Sequence, residues 1–175
     1  MVADLYNKTI LSLAGNIART ERLDDPDATV FLDSPLCGSR ITVDLKMTGD
    51  KVSDYGAEVK ACALGQAASA VMAKHVVGQS SAALRQLAKD MRAMLKEKAP
   101  PPGGIWAELE VLQPVADYKA RHGSVMLPFE AVVRAIDEIE AQRKTPDASD
   151  VPDASNVSDG KSQPASATDD HGRAR

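Results

Sequence analysis

Between Ser39 and Met47 the chain alternates polar and apolar side chains, with Ile41, Val43, Leu45 and Met47 falling on one side of an extended backbone. A period of two predicts a strand with one buried face. "TVFLD" just before it reads as a second strand, and "KVSDYGAEVKA", reached across "TGD", as a third. Short turns between three consecutive strands predict an antiparallel meander. Elsewhere the spacing is helical. Leu5, Ile10, Leu13 and Ile17 predict a helix over Ala3–Arg19, with Gly15 weakening its end. Ala-rich "CALGQAASAVMAKHVV" predicts another, closed by Gly78. "SSAALRQLAKDMRAMLKE" follows, with Ser80 or Ser81 as N-cap. After "PPPGG" comes a shorter helix, "IWAELEVLQPVADY". The last is "SVMLPFEAVVRAIDEIEAQR", where Pro128 is expected in the first turn. The sum is an α+β domain, a three-stranded antiparallel sheet with helices packed on one face.

The pattern stops near Lys144. "KTPDASDVPDASNVSDGKSQPASATDDHGRAR" has no Leu, Ile or aromatic residue and repeats "PDAS". Such a stretch buries too little to offset its ordering entropy, so residues 1–143 are expected to form the domain and 144–175 a disordered tail. The hydrophobic fraction is 43% but the aromatic fraction only 3%, so the core is built from small and aliphatic side chains. A net charge of -4 without a basic stripe argues against a nucleic-acid partner. No apolar run approaches the roughly 20 residues a bilayer demands, and "MVADLYNKTI" does not read as a secretion signal. A cytoplasmic protein with reduced thiols is the expectation.

The chemistry-bearing groups are few. Cys37 lies in "DSPLCGSR" beside Gly38, a turn that would expose its sulfur. Cys62 opens the Ala-rich helix, where free N–H groups and the helix dipole favour a thiolate. Either could equally be a small buried hydrophobe, and two cysteines alone make no zinc pattern. His122, in "KARHGS", is a further candidate donor if its turn folds toward the cysteines. "LDDPD" reads as a solvated turn, lacking the oxygen spacing of a calcium loop.

Taken in order, these words resemble the U-type iron–sulfur cluster assembly scaffold family, which includes IscU, SufU and the N-terminal part of NifU. "PLCGS" is similar to that family's P-x-C-G-D. "ACALGQAASAVM" is similar to G-C-A-I-S-x-A-S-A-S-M-M, and "RHGSVMLPFEA" to R-x-K-C-A-x-L-P-W-E-A. The resemblance keeps Cys37 and Cys62 as cofactor or metal ligands, but it sets Ser39 on the family's aspartate and Ser124 on its third cysteine. It gives His122 no role. It implies a scaffold rather than an enzyme, holding iron or an iron–sulfur cluster, or zinc, or accepting sulfur from a cysteine desulfurase, alongside other iron–sulfur assembly factors. With two ligand positions substituted, metal is expected to bind weakly or not at all, because serine hydroxyls are poor donors to soft metals. Two other classes stay open: a scaffold fold kept as an interaction module without sulfur or metal, and a cysteine hydrolase using Cys62 with His122, which lacks an orienting group.

Overall fold

The computed structural model describes residues 5–145. Strands β1 (Ala28–Ser34), β2 (Ser39–Thr48) and β3 (Lys51–Lys60) form one antiparallel sheet in the order β1-β2-β3. The helices are α1 (Lys8–Ala14), α2 (Ala63–His75), α3 (Ser81–Glu97) and α4 (Lys119–Lys144), with a 3-10 segment over Gly104–Asp117 between α3 and α4. α4 packs across β1 and β2, α2 lies against α4 and β3, and α3 rests on α4.

The alternation in β2 sets the architecture. Ile41, Val43, Leu45 and Met47 are all buried on the face that meets the helices. Val30 pairs with Val43 and Leu32 with Ile41, so the apolar row continues across the ladder. Thr48 pairs with Lys51 around a two-residue turn in which Gly49 has φ +63°, the left-handed conformation that glycine adopts without strain. A bulge between Lys46 and Met47 shifts the register of β2 against β3. There Asp27 accepts a hydrogen bond from the Met47 N–H at 2.7 Å, so one carboxylate of the "LDDPD" turn has a structural task.

The other face of the sheet carries a polar staple. Asp44 lies on that face and is fully buried. Its carboxylate accepts from Arg22 Nε (2.5 Å) and Nη2 (2.9 Å), the Leu23 N–H (3.0 Å) and Thr29 Oγ1 (2.6 Å). Thr29 and Gly56 are its cross-strand neighbours, and Gly56, having no Cβ, leaves room for the Glu21 carbonyl to lie directly over it. The segment leading into β1 is thereby tied across the sheet.

Three expectations change. The first helix is confined to Lys8–Ala14, because Asn7 caps it by accepting from the Ile10 N–H (3.0 Å) and it ends at Gly15; residues 16–19 are not helical, and residues 1–4 lie outside the described residues. "IWAELEVLQPVADY" is a 3-10 helix: Trp106, Leu109, Leu112 and Val115, all buried, recur every third residue, the repeat at which side chains of a 3-10 helix stack in one line. The last helix begins at Lys119 rather than Ser124, which moves Pro128 into its interior. α4 continues through Lys144; the predicted tail from residue 146 onward lies outside the described residues.

Tyr55, opposite Leu45 on the inner face, is buried, and its hydroxyl has no hydrogen-bond partner among the described residues. Burial pushes its ionisation well above the ordinary tyrosine value. Replacing a buried hydroxyl that bonds to nothing removes a desolvation cost and little else. Tyr55→Phe is therefore expected to raise stability by up to about 1 kcal/mol in urea titrations; a loss of that size would contradict the packing described.

Candidate functional site

The inner-face row of the sheet ends in hydroxyls. Ser34 and Ser39 are the last cross-strand pair of β1 and β2, two register steps beyond Leu32 and Ile41 and so on the same face, and both are buried. The four residues between them make the turn that carries Cys37. The Ser34 carbonyl accepts from the Cys37 N–H (3.3 Å) and the Gly38 N–H (2.9 Å), and Gly38 takes φ +68°. Leu36, at the turn's apex, is 80% exposed, while Cys37 is half-buried.

Cys62 arrives from the other edge of the ladder. Arg40 pairs with Lys60, so the chain leaving β3 passes beside the turn, and Cys62 becomes the N-cap of α2. α4 supplies Ser124, which is fully buried. Pro128 lies four residues beyond it and has no N–H, so the Ser124 carbonyl receives no bond from that position of the helix. Two glycines admit this close approach. A Cβ on Gly65 of α2 would fall 2.5 Å from Ser124 Oγ, and one on Gly123 would fall 2.6 Å from Ser34 Oγ.

The result is a continuous row of sulfur and oxygen atoms. Ser34 Oγ lies 3.4 Å from Cys37 Sγ, and Cys37 Sγ lies 3.2 Å from Ser39 Oγ. Ser39 Oγ is 3.0 Å from Ser124 Oγ, which is 3.2 Å from Cys62 Sγ. Both candidate cysteines and both substituted positions are thus brought together. Partial burial pushes the Cys37 thiol up, but hydrogen bonds from Ser34, from the Ser39 side chain and backbone, and from Ser124 outweigh it, and the net shift is below the ordinary thiol value.

His122 is placed elsewhere. Its Nε2 is shared between the carbonyls of Val115 (3.1 Å) and Ala116 (3.2 Å), at the end of the 3-10 segment. Two residues along one helix do not share a face, so a helix that presents Ser124 to the cysteines turns His122 away. Ser34, Gly65 and Gly123 were not singled out by the sequence reading. The signal for Ser34 was available, since continuing the period of two backward along a paired β1 puts it opposite Ser39.

As a donor set, two thiols and three hydroxyls do not fit zinc or an iron–sulfur cluster, which take thiolate, imidazole or carboxylate ligands. Among the described residues no three His, Cys, Asp or Glu side chains converge on one point. Nor is any described helix long and apolar enough to cross a membrane.

Comparison with known proteins agrees with this architecture. The family model for the NifU-like N-terminal domain matches residues 5–125. The zinc-dependent sulfurtransferase SufU of Bacillus subtilis (strain 168) is 25% identical over 132 residues, 75% of this chain and 89% of that protein. The iron–sulfur cluster assembly scaffold protein IscU of Streptococcus pyogenes serotype M1 is 30% identical over 115 residues, 66% of this chain and 72% of that one. The crystal structure of the N-terminal part of a NifU-like protein from Brucella abortus superposes with a TM-score of 0.79 at 49% identity, covering 81% of this chain and 98% of that chain. One of these relatives is named a scaffold and another a sulfurtransferase, so their names leave both roles in view. With the family model matching residues 5–125 and the fold shared with such relatives, the chain belongs to the NifU-like N-terminal domain family of iron–sulfur cluster assembly scaffolds.

Proposed function

We propose that this chain serves iron–sulfur cluster assembly as a sulfur acceptor, taking sulfane sulfur from a cysteine desulfurase onto Cys37. The observation that carries the reading is the surroundings of that sulfur: half-exposed on a turn, with hydroxyls at 3.2 and 3.4 Å that stabilise its thiolate. A thiolate is the form that attacks sulfur. In the transfer, Cys37 Sγ attacks the outer sulfur of the donor's persulfide, the donor's S–S bond breaks, and the donor cysteine leaves as a thiolate that takes up a proton. Cys37 becomes a persulfide, and no net oxidation occurs. Ser34 and Ser39 hold the nucleophile, and the exposed Leu36 is its neighbour on the turn. Holding iron, zinc or a cluster as well would require donors from a second molecule, and the recipients of the sulfur would be other assembly factors.

The test uses a chain in which Cys62 is replaced by Ala. Treated with a cysteine desulfurase and cysteine, it is expected to gain one sulfur atom, mapped to Cys37 by mass spectrometry after alkylation. Cys37→Ala, with Cys62 intact, should gain none. If neither cysteine gains sulfur while the chain still binds the desulfurase, the fold is an interaction module and the acceptor reading fails.

A further inference from the structure

Two sulfurs are linked through a pair of hydroxyls in this site. Cys37 Sγ is 3.2 Å from Ser39 Oγ, Ser39 Oγ is 3.0 Å from Ser124 Oγ, and Ser124 Oγ is 3.2 Å from Cys62 Sγ. Nothing in this arrangement supplies the third and fourth soft ligands that would hold the sulfurs apart around a metal. What the row contains is a pair of thiols, joined by hydroxyls that can donate to either sulfur and accept from it. Such a pair can do what a single acceptor thiol cannot, which is to reduce the sulfur that it carries.

We propose that Cys37 and Cys62 form a reducing pair: after Cys37 has become a persulfide, Cys62 attacks Cys37 Sγ and expels the outer sulfur as hydrosulfide. This rests on the acceptor reading above and extends it to the product. The new bond is the Cys37–Cys62 disulfide, and the bond broken joins Cys37 Sγ to the sulfane sulfur. That sulfur is reduced to the sulfide level while the two cysteines are oxidised. The proton of Cys62 passes along the hydroxyl row or to solvent, and an external dithiol returns the pair to its reduced state.

Geometry favours the step on three counts. The strand register brings both cysteines to one end of the same ladder: Arg40 faces Lys60, and two residues further out on each side the chain reaches Gly38 and Cys62, with Cys37 next in line. A disulfide needs Cβ atoms about 3.5–4.5 Å apart, and only the contacting hydroxyls of Ser39 and Ser124 stand in the row between the two sulfurs, so movement of the Cys37 turn past them closes the gap. The turn has freedom to make the movement, since Gly38 is at φ +68° with no atom within 4 Å of where a Cβ would stand, and Leu36 beside it is exposed. Ser39 and Ser124 are positioning residues in this scheme, aligning the two sulfurs without reacting.

The experiment separates this step from the transfer that precedes it. The full chain is loaded anaerobically with glutathione persulfide, the excess donor is removed by gel filtration, and released sulfide and protein mass are followed with time. Wild type is expected to release about one sulfide for each persulfide formed, with the loss of both free thiols, because the attacking thiol is intramolecular. Cys62→Ala and Cys62→Ser should keep their persulfide and release sulfide at least about 100-fold more slowly, having lost that effective concentration. Two variants guard against a misfolded one, and each is checked by its unfolding transition. Equal release from wild type and both variants overturns the proposal, as does a wild-type persulfide that persists with no disulfide. Failure of glutathione persulfide to load Cys37 overturns it as well. If glutathione persulfide loads Cys37 but a desulfurase does not, the assignment of the sulfur donor fails and the pair chemistry stands.

Discussion

Asp44→Ala is expected to lower the free energy of unfolding by about 2–3 kcal/mol. The carboxylate is 0% exposed and accepts four hydrogen bonds, from Arg22 twice, from the Leu23 N–H and from Thr29. Its removal strands the Leu23 N–H and the Thr29 hydroxyl, each a desolvated donor of the kind that costs about 1–3 kcal/mol when left unpaired. Loss of a fully buried ion pair would cost more, about 3–5 kcal/mol. The Arg22 side chain, however, is 48% exposed and can turn to water, which holds the figure at the lower end. Burial pushes the Asp44 carboxyl up, but the hydrogen bonds from Arg22, Thr29 and Leu23 and the charge of Arg22 prevail, so it titrates below the ordinary aspartate value of 3.8. Because the folded pKa is depressed, the stabilisation is fully present above the unfolded value and is lost as pH falls through the folded one. Urea titrations of wild type and Asp44→Asn should therefore differ by a constant amount near neutral pH and converge in acid below about pH 4. A difference that grew on acidification would contradict the staple.

Gly65→Ala is the second large effect, and here two terms oppose each other. Ala is the better helix former by about 1 kcal/mol, and α2 runs over Ala63–His75, so an unobstructed site would be stabilised. The site is obstructed. The added Cβ would lie 2.5 Å from Ser124 Oγ, 2.9 Å from Ala61 Cβ and 3.0 Å from the Ser124 carbonyl. One of these obstacles is a backbone oxygen that cannot yield without moving α4, and another is the hydroxyl of a fully buried residue, which can turn away only by leaving its partners Ser39 and Cys62. Overpacking of this kind costs about 1–3 kcal/mol, enough to reverse the propensity gain. A lower melting temperature is expected, together with an altered rate of Cys62 alkylation, since Ser124 is pushed from its place 3.2 Å from that sulfur. Gly103→Ala is the control, because no atom lies within 4 Å of its Cβ position. Equal behaviour of the two variants would mean that α2 and α4 are not so closely packed.

The sheet was legible because one strand, Ser39–Thr48, carries an uninterrupted period of two and its neighbours are joined to it by short turns. The same alternation gave no warning of Asp44, which sits on the polar side of that pattern yet is buried by a segment from outside the sheet. Local spacing cannot report a tertiary cover. The sequence marks the 3-10 segment only as a short helix, while the signal for its type lies in four buried side chains at intervals of three from Trp106 to Val115. The start of α4 carried no signal: Tyr118 makes no side-chain cap, and Lys119, Arg121 and His122 bring no negative charge to a helix N-terminus. That early start turns His122 toward the 3-10 segment and puts Ser124 on the face that meets Cys62. The grouping of Cys37, Ser39, Cys62 and Ser124 was reached through resemblance across three motifs, because residues so far apart in sequence reveal no proximity through spacing alone. The packing that makes their contact possible, at Gly65 and Gly123, belongs to the folded structure.

The central claim is that this scaffold fold has become a thiol pair that takes sulfur without a metal. It is tested most directly by native mass spectrometry of the wild-type chain, incubated with zinc and then sampled during its first exposure to a cysteine desulfurase and cysteine. The expected spectrum is a metal-free chain that gains one sulfur atom at Cys37 before any disulfide forms. A chain that retains zinc and gains no sulfur would contradict it.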